Sequence, residues 1–231
     1  MGVDDTIPIL KKNRMSTGIR DLDIVLEGGY INPGNVMLVG PAGSAKSAFA
    51  FHFAAAAGPN ENIYFITADA TPEGIKEKAA SLGIKIKDRT VFIDCYSSTI
   101  GGEKPSESEL VIPGPSSLND LSLAINEAIV QSMGKKMRVV FYGLSTFLLY
   151  NPKDSILKFL QVVGGRLKKA DATTLMLVEE GVHDKQLIST AGHMMDEIYT
   201  LAEKEGLLEL ELPSIAASVP IKLGPAGITV P

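Results

Sequence analysis

The sequence predicts an α/β fold: a mostly parallel, twisted sheet covered by helices on both faces, with antiparallel strands at its C-terminal end. Three observations predict it. Apolar runs such as Val36-Met37-Leu38-Val39 are continuous rather than alternating, the pattern of strands buried on both faces. Helical segments separate these runs repeatedly, as the crossovers between parallel strands require. The last strand-like segments follow one another with no helix between them, which suits an antiparallel extension at one edge.

Met15 to Gly29 is predicted helical, with Ser16-Thr17-Gly18 as the turn in front and Gly28-Gly29 behind. Ile19, Leu22, Val25 and Leu26 share one face of it. Pro33-Gly34 marks a turn before the strand Val36 to Val39. Gly40 to Ser47 is a glycine-bearing loop, and Ala48 to Ala57 is an apolar helix stopped by Gly58-Pro59. The alternation then repeats: strand Asn62 to Thr67, helix Pro72 to Leu82, strand Thr90 to Asp94. Ser97 to Ser117, rich in Ser, Gly, Pro and Glu, is predicted to be a long surface loop. Helix Leu118 to Met133, strand Arg138 to Tyr142, helix Asp154 to Lys169 and strand Thr173 to Val178 follow. Glu197 to Leu201, Leu207 to Leu212 and Val219 to Leu223 form the closing meander.

No internal repeat or linker divides the 231 residues, so residues 1–231 are expected to form one domain behind a short tail, residues 1–14. The chain is 45% hydrophobic and 21% charged, too apolar for a disordered chain. Its net charge of -5 argues against a strongly basic nucleic-acid binder. One cysteine, Cys95, excludes an intramolecular disulfide and is expected to pack as a small apolar residue. His52, His183 and His193 cannot form a closed zinc site with it at these spacings, and His52, between two phenylalanines, is expected to pack. No signal-like run and no membrane-length apolar stretch is present, so the expected compartment is the cytoplasm.

The strongest chemical signal is Gly40-Pro41-Ala42-Gly43-Ser44-Ala45-Lys46-Ser47, between a predicted strand and a predicted helix. In such a loop the backbone N–H groups and the positive end of the helix dipole converge on phosphate oxygens. Lys46 would reach the β- and γ-phosphates of ATP, and Ser47 would offer its hydroxyl to Mg²⁺. Ala45 stands where a glycine usually precedes the lysine. If that position needs a positive φ, its Cβ costs roughly 1–2 kcal/mol, about ten-fold in affinity; if the backbone there is ordinary, it costs nothing. A glycine-rich turn without a ligand is the competing reading of the segment.

These segments together resemble the KaiC-like branch of the RecA superfamily of P-loop ATPases. Ser16-Thr17-Gly18, Leu22-Asp23 and Leu26-Glu27-Gly28-Gly29 resemble its N-terminal S-T-G, L-D and L-x-G-G motifs, and the phosphate loop follows at the family's distance. Thr67-Ala68-Asp69-Ala70 stands at its T-F-E-E, Pro72-Glu73 and Ala80-Ser81-Leu82-Gly83 resemble its next helix, and Arg138 to Ser145 resembles its R-V-V-I-D-S-L-S. The resemblance covers about Ser16 to Val230 and implies a RecA-like P-loop NTPase fold that binds ATP and Mg²⁺. It also implies assembly as a homo-oligomer.

The departures from the family's pattern concern hydrolysis. Of the tandem glutamates only Asp69 remains acidic, one methylene shorter, with Ala70 beside it; Asp69 is the one candidate catalytic residue. Losing about 1 Å of reach can cost about 100-fold in rate. The aspartate of the metal's water shell is replaced by Tyr142, whose phenol supplies no anion. Glu211-Leu212-Pro213-Ser214 stands where the family carries a basic motif directed at the neighbouring subunit's nucleotide.

Glu179-Glu180 ends a strand on the side where ligands sit in open α/β sheets, and is either a substitute carboxylate or an exposed acidic turn. Gly181 to Met195, at the position of a DNA-contacting loop in recombinases, has one lysine, no arginine and no aromatic residue. Phe147 to Tyr150 is expected in the core, and the direction of Ser145 and Thr146 is open. Four readings follow: a nucleotide-responsive ATP-binding protein with slow or absent hydrolysis, acting as a regulatory or assembly factor; an active ATPase using Asp69 and a relocated carboxylate such as Glu180; an interaction module that binds no nucleotide, with an unidentified protein partner; and, against the acidic balance, a DNA-binding paralogue.

Overall fold

A computed structural model describes residues 13–43, 45–101, 109–204 and 206–231. The elements run β1 (Arg14–Met15), α1 (Arg20–Val25), β2 (Tyr30–Ile31), β3 (Gly34–Gly40), α2 (Lys46–Ala55), β4 (Glu61–Thr67), α3 (Pro72–Ser81), β5 (Val91–Asp94) and β6 (Glu109–Val111). They continue with α4 (Leu118–Gln131), β7 (Lys136–Tyr142), α5 (Leu144–Tyr150), α6 (Lys153–Lys169), β8 (Ala172–Glu179), α7 (Lys185–Gly192), β9 (Glu197–Lys204), β10 (Leu207–Leu212), β11 (Ala217–Gly224) and β12 (Gly227–Thr229).

The expected α/β, RecA-like architecture is present. Ten strands form one sheet in the order β12-β11-β10-β9-β3-β8-β7-β4-β5-β6. From β9 to β6 every neighbouring pair is parallel, and from β9 to β12 every pair is antiparallel. Successive residues of a strand feed opposite cores, as the two-residue pleat requires. Val36 and Leu38 join the cluster built with α1, α2 and α3, whereas Met37 joins the cluster built with α4, α5, α6 and α7. The carboxyl ends of β3, β4, β7 and β8 open on the same edge, where ligands sit in open α/β sheets.

The N-terminal helix is shorter than its periodicity predicts because side chains compete for the backbone. Asp23 accepts from the Thr17 N–H at 2.7 Å, the Thr17 hydroxyl at 2.6 Å and the Ser16 hydroxyl at 2.5 Å, so residues 16–18 form a tight turn and α1 starts at Arg20. Gly18 closes that turn at a φ of 83°, and a Cβ there would lie 2.2 Å from the His52 carbonyl oxygen of α2. The S-T-G and L-D motifs therefore dock the N-terminal segment onto the helix that follows the phosphate loop.

Four other segments differ from expectation. The loop predicted over 97–117 carries β6, which adds to the sheet edge beside β5. The meander begins with β9 parallel to β3, and gains β12 beyond its expected end. Helix α5 follows β7 directly, burying Phe147 and Leu148 while leaving Leu149 and Tyr150 exposed, so only half of that apolar run is core. Within Gly181 to Met195 lies α7, whose start is capped by Asp184 accepting from the Gln186 N–H.

His52 packs as expected: its Nε2 accepts from the Ile228 N–H at 2.9 Å, tying β12 to α2, and burial holds its pKa below the usual histidine value. Burial pushes the Cys95 thiol up to about 12, so it stays protonated. No helix among the described residues is long and apolar enough to cross a membrane.

Candidate functional site

Strand β3 ends at Gly40 and α2 begins at Lys46, so residues 41–45 turn the chain through the mouth of the sheet. Lys46 is only 6% exposed. Its ammonium donates to the Gly40 carbonyl at 2.8 Å and to the Pro41 carbonyl, and lies 3.8 Å from a Glu179 carboxylate oxygen. Burial lowers its pKa, the Glu179 charge works the other way, and the nearby Lys78 charge lowers it further. A desolvated ammonium beside a second cation favours an anionic ligand.

Ala45 has φ −67° and ψ 4°, an ordinary right-handed conformation, and its carbonyl accepts the first helical bond from the Ala48 N–H. The substitution of the usual glycine is therefore free of strain. Accordingly, Ala45→Gly is expected to leave nucleotide affinity unchanged and to cost about 0.5–1 kcal/mol of stability through chain entropy. Urea denaturation together with nucleotide titration checks both halves.

Gly43, Lys46 and Ser47 line a cavity of about 250 Å³ together with Asp69, Gly74, Lys78, Tyr142 and Glu179. Among the other residues of the expected loop, Gly40 and Pro41 hold Lys46 through their carbonyls, Ala45 is buried at the helix start and Ala42 is exposed. Ser44 lies outside the described residues.

The end of β7 decides what stands at Ser47. The Tyr142 hydroxyl is 3.0 Å from the Ser47 hydroxyl, and the Lys78 ammonium is 3.2 Å from the Ser47 oxygen and 3.3 Å from the Tyr142 oxygen. The Tyr142 ring is stacked on Phe51 at 6.0 Å and tilted against Phe65 at 5.5 Å, which fixes its direction. Mg²⁺ is held in such sites by hard anionic oxygens. A serine hydroxyl flanked by a phenol and an ammonium does not fit it. No cluster of three His, Cys, Asp or Glu side chains among the described residues is placed to hold a metal ion.

The candidate base, Asp69, follows β4 at the cavity rim. It accepts a hydrogen bond from the Thr146 hydroxyl of α5. Desolvation raises its pKa, the Thr146 bond opposes this, and the Glu179 charge adds to the rise. Gly143, at φ 85°, makes room for it: a Cβ there would lie 2.0 Å from an Asp69 carboxylate oxygen. Ser145 points elsewhere, accepting from the Glu179 N–H at 2.8 Å. Thus neither hydroxyl after β7 is spare; one holds Asp69 and the other anchors the end of β8.

Of the acidic pair, Glu179 lines the cavity while Glu180 lies exposed in the turn, its N–H bonded to the Gly40 carbonyl. The carboxylate that reaches the cavity is therefore Glu179 and not Glu180, the residue expected there. Lys78 escaped sequence reasoning, although its signal was available: Gly74, Ile75 and Lys78 are spaced three and four apart and share one helix face. In the antiparallel part of the sheet, Glu211 on β10 pairs with Lys204 on β9 at 2.7 Å.

The family model described as the KaiC ATPase matches residues 15–205. The circadian clock oscillator protein KaiC of Prochlorococcus marinus (strain MIT 9313) is 23% identical over 172 residues, which is 74% of this chain and 34% of that protein. The chain therefore spans about a third of the length of that relative.

Proposed function

The chain belongs to the KaiC ATPase family, and from that premise we propose that it holds ATP, turns it over slowly or not at all, and uses the bound nucleotide to set its own shape or assembly. The observation that supports it is the Ser47–Tyr142–Lys78 contact: beside the loop expected to hold phosphate, a phenol and an ammonium occupy the neighbourhood of the hydroxyl expected to meet a metal. The carboxylates support the same reading. Asp69 is bonded to Thr146, and Glu179 faces the Lys46 ammonium, so both already have partners other than an attacking water. A ligand can shift a conformational equilibrium only through its different affinity for two states. A homo-oligomer is part of the proposal; exposed Leu149 and Tyr150 at the end of α5 offer apolar surface.

Thermal denaturation with ATP and phosphate release measured side by side test it. A ligand present at 100 times its Kd stabilises by about 2.7 kcal/mol, so a clear rise in Tm is expected, with phosphate release at background. Absence of any shift at millimolar nucleotide would end the reading. A second reading, an active ATPase, is favoured by the presence of Glu179 in the cavity. Steady phosphate release that vanishes in Glu179→Gln would establish it in place of the first.

A further inference from the structure

We infer that the Lys78 ammonium does at this site what a divalent cation does elsewhere, so that the nucleoside triphosphate is bound without a metal. The inference rests on the nucleotide reading above and extends it to the charge chemistry of the phosphates. Lys78 reaches over the loop from α3, whose start is fixed by Thr71 accepting from the Gly74 N–H at 3.1 Å and by buried Ile75 one turn before the lysine. Its ammonium meets two oxygens, Ser47 at 3.2 Å and Tyr142 at 3.3 Å. An ammonium has three donors. Two are directed at these hydroxyl groups, and the third remains to meet a phosphate oxygen seated in the cavity that Lys78 lines.

The position is also one a metal would have to contest. A Mg²⁺ bound to the Ser47 oxygen would sit about 2.1 Å from it. The Lys78 ammonium contacts that same oxygen, so the two positive charges would be crowded at one ligand atom. The carboxylates of the cavity are already engaged: Asp69 is bonded to Thr146 and feels the Lys78 charge, and Glu179 lies beside Lys46. With Lys46 lining the same cavity, two ammonium groups face a single hollow at the start of α2, and the helix dipole adds a third positive influence. Polyphosphate charge is thereby compensated by fixed protein groups. A lysine is a strongly hydrated point charge suited to phosphate, but unlike Mg²⁺ it does not organise an octahedral shell around the reacting oxygens.

The test is isothermal titration of ATP into the full chain, once with excess Mg²⁺ and once with EDTA, for the wild type, Lys78→Met and Lys78→Arg. Lys78 is exposed on its helix, so both variants should keep the fold, which circular dichroism verifies. The wild type is expected to bind in EDTA within about three-fold of its affinity in Mg²⁺. Lys78→Met should lose about ten-fold or more in EDTA, the loss of one charge-assisted hydrogen bond, and Lys78→Arg should recover most of it. Binding of the wild type only with Mg²⁺, or equal EDTA affinities for wild type and Lys78→Met, would overturn the inference while leaving the nucleotide reading intact. Binding in neither condition would overturn both.

Discussion

Replacing Lys46 with alanine is expected to weaken ATP binding by about 100-fold or more. The ammonium lies between the end of β3 and the first turn of α2, bonded to the Gly40 and Pro41 carbonyls. A phosphate entering the loop exchanges those neutral acceptors for anionic ones. Each charge-assisted hydrogen bond contributes about 1.5–3 kcal/mol, so two to the phosphates contribute about 3–6 kcal/mol, and each 1.4 kcal/mol is ten-fold in Kd. The loss should also exceed that of Lys78→Met, because Lys46 is 6% exposed and acts in a drier environment than exposed Lys78. Calorimetric titration of both variants ranks them directly. An unchanged Kd for Lys46→Ala would remove the phosphate loop from the proposed site.

The second large effect concerns stability. Arg138 on β7 is 2% exposed and satisfies three partners at once. Its Nε donates to Glu61 at 2.7 Å, while one terminal nitrogen donates to the Ser16 carbonyl at 2.6 Å and the Phe53 carbonyl at 3.0 Å. The guanidinium also lies 4.8 Å over the Phe53 ring. It therefore joins β4, the N-terminal turn and α2. Removing one partner of a buried ion pair typically costs about 3–5 kcal/mol, because the other charge is left uncompensated. At about 2–4 °C per kcal/mol for a chain of this size, Arg138→Ala should lower Tm by roughly 6–20 °C. Arg138→Lys should not restore it, since one ammonium on a straight stem cannot reproduce the planar fork.

The same pair has a defined pH signature. Burial works against the Glu61 charge, yet the hydrogen bonds from Arg138 and the Gly58 N–H, with the Arg138 charge, hold its carboxyl below the ordinary value of 4.5. A depressed folded-state pKa means that the stabilisation is fully present above the unfolded value and is lost as pH falls through the folded one. The difference between wild type and Arg138→Ala should therefore be constant near neutrality and shrink below about pH 4.5. Urea denaturation across that range checks it; a difference that does not narrow would mean that Arg138 acts by packing alone.

The elements that could be read from the sequence are those specified by neighbours along the chain. Continuous Val36 to Val39, the strand-helix alternation and the strand-loop-helix setting of Gly40 to Ser47 all reflect periods of two or 3.6 residues and local glycines. Those patterns determined the α/β sheet, its antiparallel end and the place of the phosphate loop. Helix α5 and the parallel pairing of β9 were not legible, because an isolated apolar run carries no information about which surface will cover it. The turn at Ser16-Thr17-Gly18 was legible, but the helix behind it is shorter than the predicted Met15 to Gly29, since the Ser16, Thr17 and Asp23 bonds that set its start depend on side-chain direction.

The chemistry of the site shows the same division. Sequence placed a tyrosine at the end of β7 and an alanine before Lys46, and so identified the departures from a hydrolytic pattern. Tertiary structure alone decided their consequences: Ala45 sits at an unstrained φ, the phenol of Tyr142 turns onto Ser47, Lys78 arrives from α3, and Glu179 rather than Glu180 enters the cavity. The reason is physical. Residue types and spacing set which backbone shapes are cheap, whereas the charge around an oxygen is the sum of groups brought together from β3, β4, α3, β7 and β8, which only the packed sheet assembles.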